Sequence, residues 1–233
     1  MTLESDAQQV YATLRDGGLA LVPTDAGYGL VAIEENAVRR IYELKGRPAS
    51  KPCVTVTTAA ITEDVAAPLP LPVVDWIEAI TYTSPLAIVT TLADASSLRT
   101  SQSPFVREQT TTNGTIALFY AAGQLLERLA ERARVDGMLV VGSSANLSGT
   151  GNNYRYEDVP DSMVRGADLV LDRGPARFHS EQRLASTILD LTTGTFIRTG
   201  LNFTHIAQSW SRLGVTIGDR KVRTASEPAA VET

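Results

Sequence analysis

The sequence predicts an α/β (α+β) fold, a mixed sheet covered by helices on both faces. Short apolar runs rich in branched residues, at 19–22, 53–57 and 138–141, alternate with segments whose apolar residues recur at helical spacing, as at 37–45 and 123–134. Glycine or proline punctuates most junctions between them. Strands that alternate with helices form sheets buried on both sides.

The chain has 233 residues, enough for one large core, with 43% apolar and 20% charged residues. A net charge of -5 argues against broad coating of nucleic acid, which depends on many cation–phosphate contacts, but permits a local basic pocket. The single cysteine, Cys53, excludes an internal disulfide, and two histidines, His179 and His205, disfavour a histidine metal site. The acidic start, with Glu4 and Asp6, does not resemble a signal peptide, and no apolar run of about 18 residues suggests a membrane span. A reducing, cytoplasmic setting is expected, with no membrane partner.

Leu3, Val10 and Leu14 predict a first helix over 3–16, stopped by Gly17-Gly18. Residues 19–22 read as a strand, 23–30 as a glycine-bearing loop and 31–33 as a second strand. Asn36 is a candidate cap for a helix over 37–45 that Gly46 ends. A strand at 53–57, a proline-rich connector at 68–72, a helix near 74–80 and a strand at 86–92 follow. The polar stretch 94–114 reads as a long surface loop, of the kind that serves as a lid. Next come a strand at 115–120, a helix at 123–134, a strand at 138–141, short strands at 168–171, 186–191 and 195–198, and a helix at 203–213. From about Arg220 the chain is expected to fray.

Four places could carry chemistry. Lys45-Gly46-Arg47-Pro48-Ala49-Ser50-Lys51-Pro52 sets three cations on a stiff loop expected to be exposed. Arginine forks and lysine point charges suit phosphate oxygens. A helix C-terminus also attracts cations without any ligand. The segment 142–149 holds two glycines, three serines and Asn146 after a buried strand, and so could cradle an anion or form a plain turn. It is not a nucleophile elbow, because Asn146 stands where the second glycine belongs. Asp25 either orients a substrate or satisfies turn amides. Cys53 reads as core. There is no Walker phosphate loop, dinucleotide fingerprint or Ser-His pair.

Five ordered motifs bear on these alternatives: Pro-Thr-Asp-x-x-Tyr-Gly-Leu at 23–30, Lys-x-Arg-Pro-x-x-Lys-Pro at 45–52, Ser-Ala-Asn-x-Ser-Gly at 144–149, Ser-Thr-Ile-x-Asp-Leu at 186–191 and Arg-x-Gly at 198–200. Together they resemble the YrdC-like family of threonylcarbamoyl-adenylate synthases, over residues 5 to about 206. The resemblance implies a twisted, mostly open sheet around a concave, positively lined cavity. It also implies an ATP-dependent nucleotidyltransferase that converts L-threonine, bicarbonate or CO2, and ATP with Mg2+ into L-threonylcarbamoyl-AMP and pyrophosphate. No tightly bound cofactor or metal site is expected. The product would feed threonylcarbamoyl-adenosine modification of tRNA through a separate transferase complex.

By this resemblance Lys45, Arg47 and Lys51 would meet the triphosphate, Ser144 and Asn146 the nucleotide, and Arg198 a phosphate or carboxylate. Thr24, Asp25 and Tyr28 would line the amino-acid side, and Ser186 would touch substrate or product. Residues 207–233 would be a C-terminal helix and tail, with no second domain. The chain has Ala26-Gly27 where the family usually has Thr-Val, and 115–123 lacks the usual Arg-x-Pro. These departures keep open a relative that binds nucleotide or RNA without turnover, or one that carbamoyl-adenylates a different amine.

Overall fold

The computed structural model describes residues 2–214 apart from Ala49 and Ala95, together with the backbone of 216–217 and 220–221. Helix α1 (Leu3–Arg15) starts where the Thr2 hydroxyl accepts from the Ser5 N–H at 3.2 Å, and it carries Glu4 and Asp6 in the first turn. Strands β1 (Ala20–Thr24) and β2 (Gly27–Ala32) form an antiparallel hairpin in which Thr24 pairs with Gly27. The expected loop at 23–30 is therefore mostly strand, and only Asp25 and Ala26 turn. Gly27 permits this: its φ is 128°, and a Cβ there would lie 2.8 Å from the Asn153 carbonyl oxygen.

Helix α2 (Glu35–Lys45) has its N-cap at Glu34, two residues earlier than Asn36 would place it, and ends at Gly46. Strand β3 (Val54–Val56) leads to α3 (Ala59–Val65), then α4 (Leu71–Thr81), which begins at Pro70, and β4 (Leu86–Thr91). The stretch 94–114 is not the loose lid expected from its composition. It holds α5 (Ser97–Thr100), α6 (Pro104–Thr110) and β5 (Thr111–Thr112), and buries Leu98, Val106, Gln109 and Thr110. The Ser103 hydroxyl caps α6, and the Gln109 carbonyl accepts from the Cys53 N–H at 2.8 Å, which ties the segment to the sheet. The serines and threonines that looked like loop residues are caps and helix-end hydrogen-bonders.

Strand β6 (Thr115–Tyr120) and helix α7 (Gln124–Val135) fall as expected. Strand β7 (Val141–Ser144) lies three residues later than its apolar run, because Gly142 lets β2 approach and Ser143 and Ser144 continue the pairing opposite Leu30 and Gly29. Helix α8 (Asp161–Gly166), β8 (Leu169–Val170), β9 (Thr187–Asp190), β10 (Thr195–Arg198) and α9 (Phe203–Leu213) complete the domain. Helix α9 spans the residues its spacing predicts and buries Ile206 and Trp210 in the main core. Strands β11 (Thr216–Ile217) and β12 (Arg220–Lys221) pair with each other. The tail expected to fray beyond them lies outside the described residues.

The large sheet has the order β10-β9-β4-β6-β3-β7-β2-β1-β8, with β5 added beside β6, and mixes parallel and antiparallel pairs. Strand alternation divides its side chains between two cores. Val22, Val31, Val56 and Ile88 face a larger core with α1, α4, α7 and α9, while Leu21, Tyr28, Leu30 and Val141 face a smaller one with α2, α6 and α8. Among the described residues no helix is long and apolar enough to cross a membrane.

Candidate functional site

A cavity of about 110 Å³ opens where β2, β3 and β7 meet the segment before β9 and the end of β10. Thr24, Tyr28, Arg47, Ser144, Ser186 and Arg198, drawn from all five sequence motifs, border it. No carboxylate does so among the described residues. The order of the sheet explains the convergence: β2 and β7 are neighbours, and β9 and β10 reach the same cavity from the far edge.

Two guanidinium groups define the electrostatics. Arg47 is held below the cavity by its own loop, with Nε donating to the Lys51 carbonyl at 3.0 Å and Nη2 to the Pro52 carbonyl at 2.6 Å, while Nη1 reaches Ser143 Oγ at 3.3 Å. Arg198 closes on the chain of Ser186, donating from Nε to its carbonyl at 2.8 Å and from Nη2 to its hydroxyl at 2.9 Å. Gly200 makes this possible, since a Cβ there would lie 2.2 Å from the Ala185 carbonyl oxygen. Arg198 faces water in the open cavity, yet crowding by protein and the nearby Arg47 charge pull its pKa down to about 10. Two cations of this kind, with no acid between them, favour an anion.

Lys45 departs from its expected exposure. It is the last residue of α2, is 2% exposed, and turns its ammonium inward to the carbonyls of Ser144 and Asn146 (2.7 Å to the latter) and to Asn146 Oδ1 at 3.2 Å. All three donors are used. Burial and the Arg47 charge lower its pKa to about 8. Asn146 is drawn down with it, accepting from Lys45 and from the Ser144 hydroxyl and donating from Nδ2 to the Leu147 carbonyl at 2.8 Å. Lys45 and Asn146 thus shape the Ser144 turn from beneath and do not border the cavity. Lys51 is exposed on the loop and also lies off it.

On the hairpin side, the Thr24 hydroxyl accepts from the Ala26 N–H at 3.0 Å and keeps its own proton for a ligand. Tyr28 borders the cavity through its strand, but its ring points into the smaller core, where the hydroxyl donates to Asp172 Oδ1 at 2.6 Å and lies 2.9 Å from the Gly174 carbonyl. Burial, reinforced by that carboxylate, raises its pKa. Asp25 faces the other way, into a second cavity, with Arg177 Nη1 3.5 Å from its Oδ2. Cys53 is fully buried, which raises its thiol pKa and fits core duty.

Residues not singled out in the sequence complete the site. Asn152 borders the cavity and donates from Nδ2 to the Ala26 carbonyl at 2.6 Å, while Asn153 donates to the Ala145 carbonyl at 2.6 Å and accepts, at its backbone oxygen, from the Tyr28 N–H at 2.8 Å. This pair stitches the β1–β2 turn to the Ser144 turn. Its one signal in the sequence is a glycine-flanked Asn-Asn in a polar segment. Apolar walls come from Val54, Val56, Phe119 and Leu126.

The family model Sua5/YciO/YrdC, described as telomere recombination, matches residues 12–200. The chain belongs to this family. Two curated threonylcarbamoyl-AMP synthases are each 28% identical to it: that of Pyrococcus abyssi over 77% of this chain and 48% of its own length, and that of Bacillus subtilis over 82% and 52%. The chain therefore spans about half the length of the curated relatives it matches. The crystal structure of Pyrococcus abyssi Sua5 complexed with L-threonine superposes with a TM-score of 0.67 at 26% identity, covering 83% of this chain and 54% of that one. The Sua5/YciO/YrdC fold accounts for the mixed sheet with helices on both faces.

Proposed function

We propose that this Sua5/YciO/YrdC-family chain is an L-threonylcarbamoyl-adenylate synthase. The observation that carries the reading is the Arg47 and Arg198 pair in a cavity free of carboxylates, on a chain related to synthases of that name. L-Threonine and bicarbonate or CO2 give the threonine carbamate. A carbamate oxygen attacks the α-phosphorus of ATP, forming the new P–O bond as the bond to the β-phosphate bridging oxygen breaks and pyrophosphate leaves with that electron pair. No protein nucleophile is required, so the protein's contribution is positioning and charge neutralisation.

In this reading Arg47 and Arg198 neutralise the phosphates, Ser143, Ser144 and Ser186 supply hydroxyl contacts, and Thr24 and Asn152 border the amino acid. Lys45 and Asn146 hold the turn that presents Ser144. Magnesium enters with ATP as part of the substrate, bridging phosphate oxygens. The product is passed, in the cytoplasm, to a separate transferase acting on adenosine in tRNA. The test is pyrophosphate release from Mg-ATP and bicarbonate with and without L-threonine. Threonine-dependent release supports the synthase; equal release in both arms, or none, removes it.

A second reading is nucleotide binding without turnover. It is favoured by the removal of two of the three expected cations from the cavity, Lys45 by burial and Lys51 by exposure. Saturable Mg-ATP binding without pyrophosphate release for any amino acid in a panel selects it.

A further inference from the structure

The cavity of the two arginines is not the roomiest space among the described residues that could hold a ligand. A second cavity of about 990 Å³ lies between α3, α4 and the start of α7, on the other side of the 24–26 turn. Its volume is that of a site for a drug-sized ligand. Leu69, Val74, Ile77 and Ala66 give it an apolar wall, and Leu71 and Tyr82 extend that surface to its rim, 77% and 81% exposed.

Polar groups converge on it in a particular way. Tyr120, Thr62 and Thr57 form a chain of hydroxyls along one wall, with the Tyr120 and Thr62 oxygens bonded to each other and Thr62 bonded to Thr57 at 3.0 Å. Four carboxylates border the space: Asp25, Glu63, Glu78 and Glu127. The one cation among the bordering residues, Arg177, is already engaged with Asp25. Glu63, Glu78 and Glu127 have no ion pair among the described residues. Glu127 is half-buried, and both its burial and the Asp25 charge raise its pKa, so a cation placed between the two would relieve them.

We propose that this second cavity is a binding site for a small organic amine, an ammonium group carried on an apolar body. The sign of its charge separates it from the arginine cavity: an unpaired anion here would meet three uncompensated carboxylates. A neutral apolar molecule would fill the Leu69, Val74 and Ile77 wall and leave the carboxylates unmatched. An amine satisfies both, with the ammonium beside Glu127 and Asp25 and the apolar body against α4. The site is separate from the adenylation chemistry and goes beyond it.

Calorimetric titration of the full chain with three matched probes tests this: 2-phenylethylamine, 2-phenylethanol and 3-phenylpropanoate. The amine is expected to bind saturably and more weakly as salt rises, the alcohol at least tenfold more weakly, as expected for loss of one charged contact, and the acid not at all. Glu127→Gln should weaken amine binding by about tenfold, and the exposed Glu63→Gln, which removes one charge from the cavity's border, by a smaller factor, while circular dichroism stays unchanged. Arg47→Ala should leave it intact. Binding of the acid as tight as that of the amine, no saturation by about 10 mM amine, unchanged affinity in both glutamine variants, or competition by Mg-ATP would each overturn the proposal.

Discussion

The Lys45 ammonium ends 2.7 Å from the Asn146 carbonyl oxygen and 3.2 Å from its side-chain Oδ1, inside the protein and behind the turn that carries Ser144. Replacing Lys45 by Met keeps the length of the stem and orphans these buried acceptors, at about 1–3 kcal/mol for the group. Urea unfolding of Lys45→Met should show that loss. Lys51→Ala, on the exposed loop, should stay within about 0.5 kcal/mol of the parent. Equal stability of the two variants would remove the structural role of Lys45.

Arg47 and Arg198 repel each other across an open cavity, and a polyanion between them would turn that repulsion into two charge-assisted contacts. Pyrophosphate should therefore raise the melting temperature of the parent protein. Arg47→Ala and Arg198→Ala should each cost about 1.5–3 kcal/mol of anion affinity, with little effect on folding in the unliganded state. Scanning fluorimetry against pyrophosphate reads this; identical ligand-induced shifts in parent and variants would count against the pair.

Gly200 sits where the chain after β10 presses on Ala185 and Ser186. Gly200→Ala places a methyl against backbone atoms, and overpacking of this kind costs about 1–3 kcal/mol. Because the same contact seats Arg198 on Ser186, both thermal stability and pyrophosphate affinity should fall. A variant that loses stability but binds pyrophosphate like the parent would separate the two effects and refute their linkage.

Asp6 is buried in α1 and accepts from Arg173 Nε at 2.8 Å and from Nη2 at 2.5 Å. These hydrogen bonds, with the guanidinium charge, hold its pKa below the ordinary 3.8. The unfolded chain therefore takes up the proton first, so the stabilisation is full above about pH 4 and disappears as pH falls through the depressed value. Acid unfolding followed from pH 5 to 2 should show a steeper loss in the parent than in Asp6→Asn, which starts lower and has no such proton to bind. Parallel curves would contradict the assignment.

Much of this was legible in the chain. Apolar spacing placed α1, α9 and β6 within a residue or two, and the ordered motifs named six residues that border one cavity. What escaped the sequence has physical reasons. Lys45 looked exposed because a lysine beside Gly46 and Arg47 reads as loop surface, whereas the last turn of α2 points inward at carbonyls that only the fold supplies. Tyr28 shares a motif with Thr24 but not a direction, because strand alternation sends its ring into the opposite core. The 94–114 stretch looked like a loose lid because serine and threonine caps resemble loop chemistry until the helices they cap are seen. Asn152 and Asn153 carry no periodicity at all; their value arises from carbonyls of distant turns.

The sheet order has a kinetic consequence. Ala20 pairs with Leu169, and Leu86 with Thr187, so both sides of the sheet are completed by segments remote in the chain. Pairings of this kind form slowly, because large loops must close before any contact rewards them. During refolding, helix signal should therefore return ahead of anion binding, and the two arginines become a site only in the final steps.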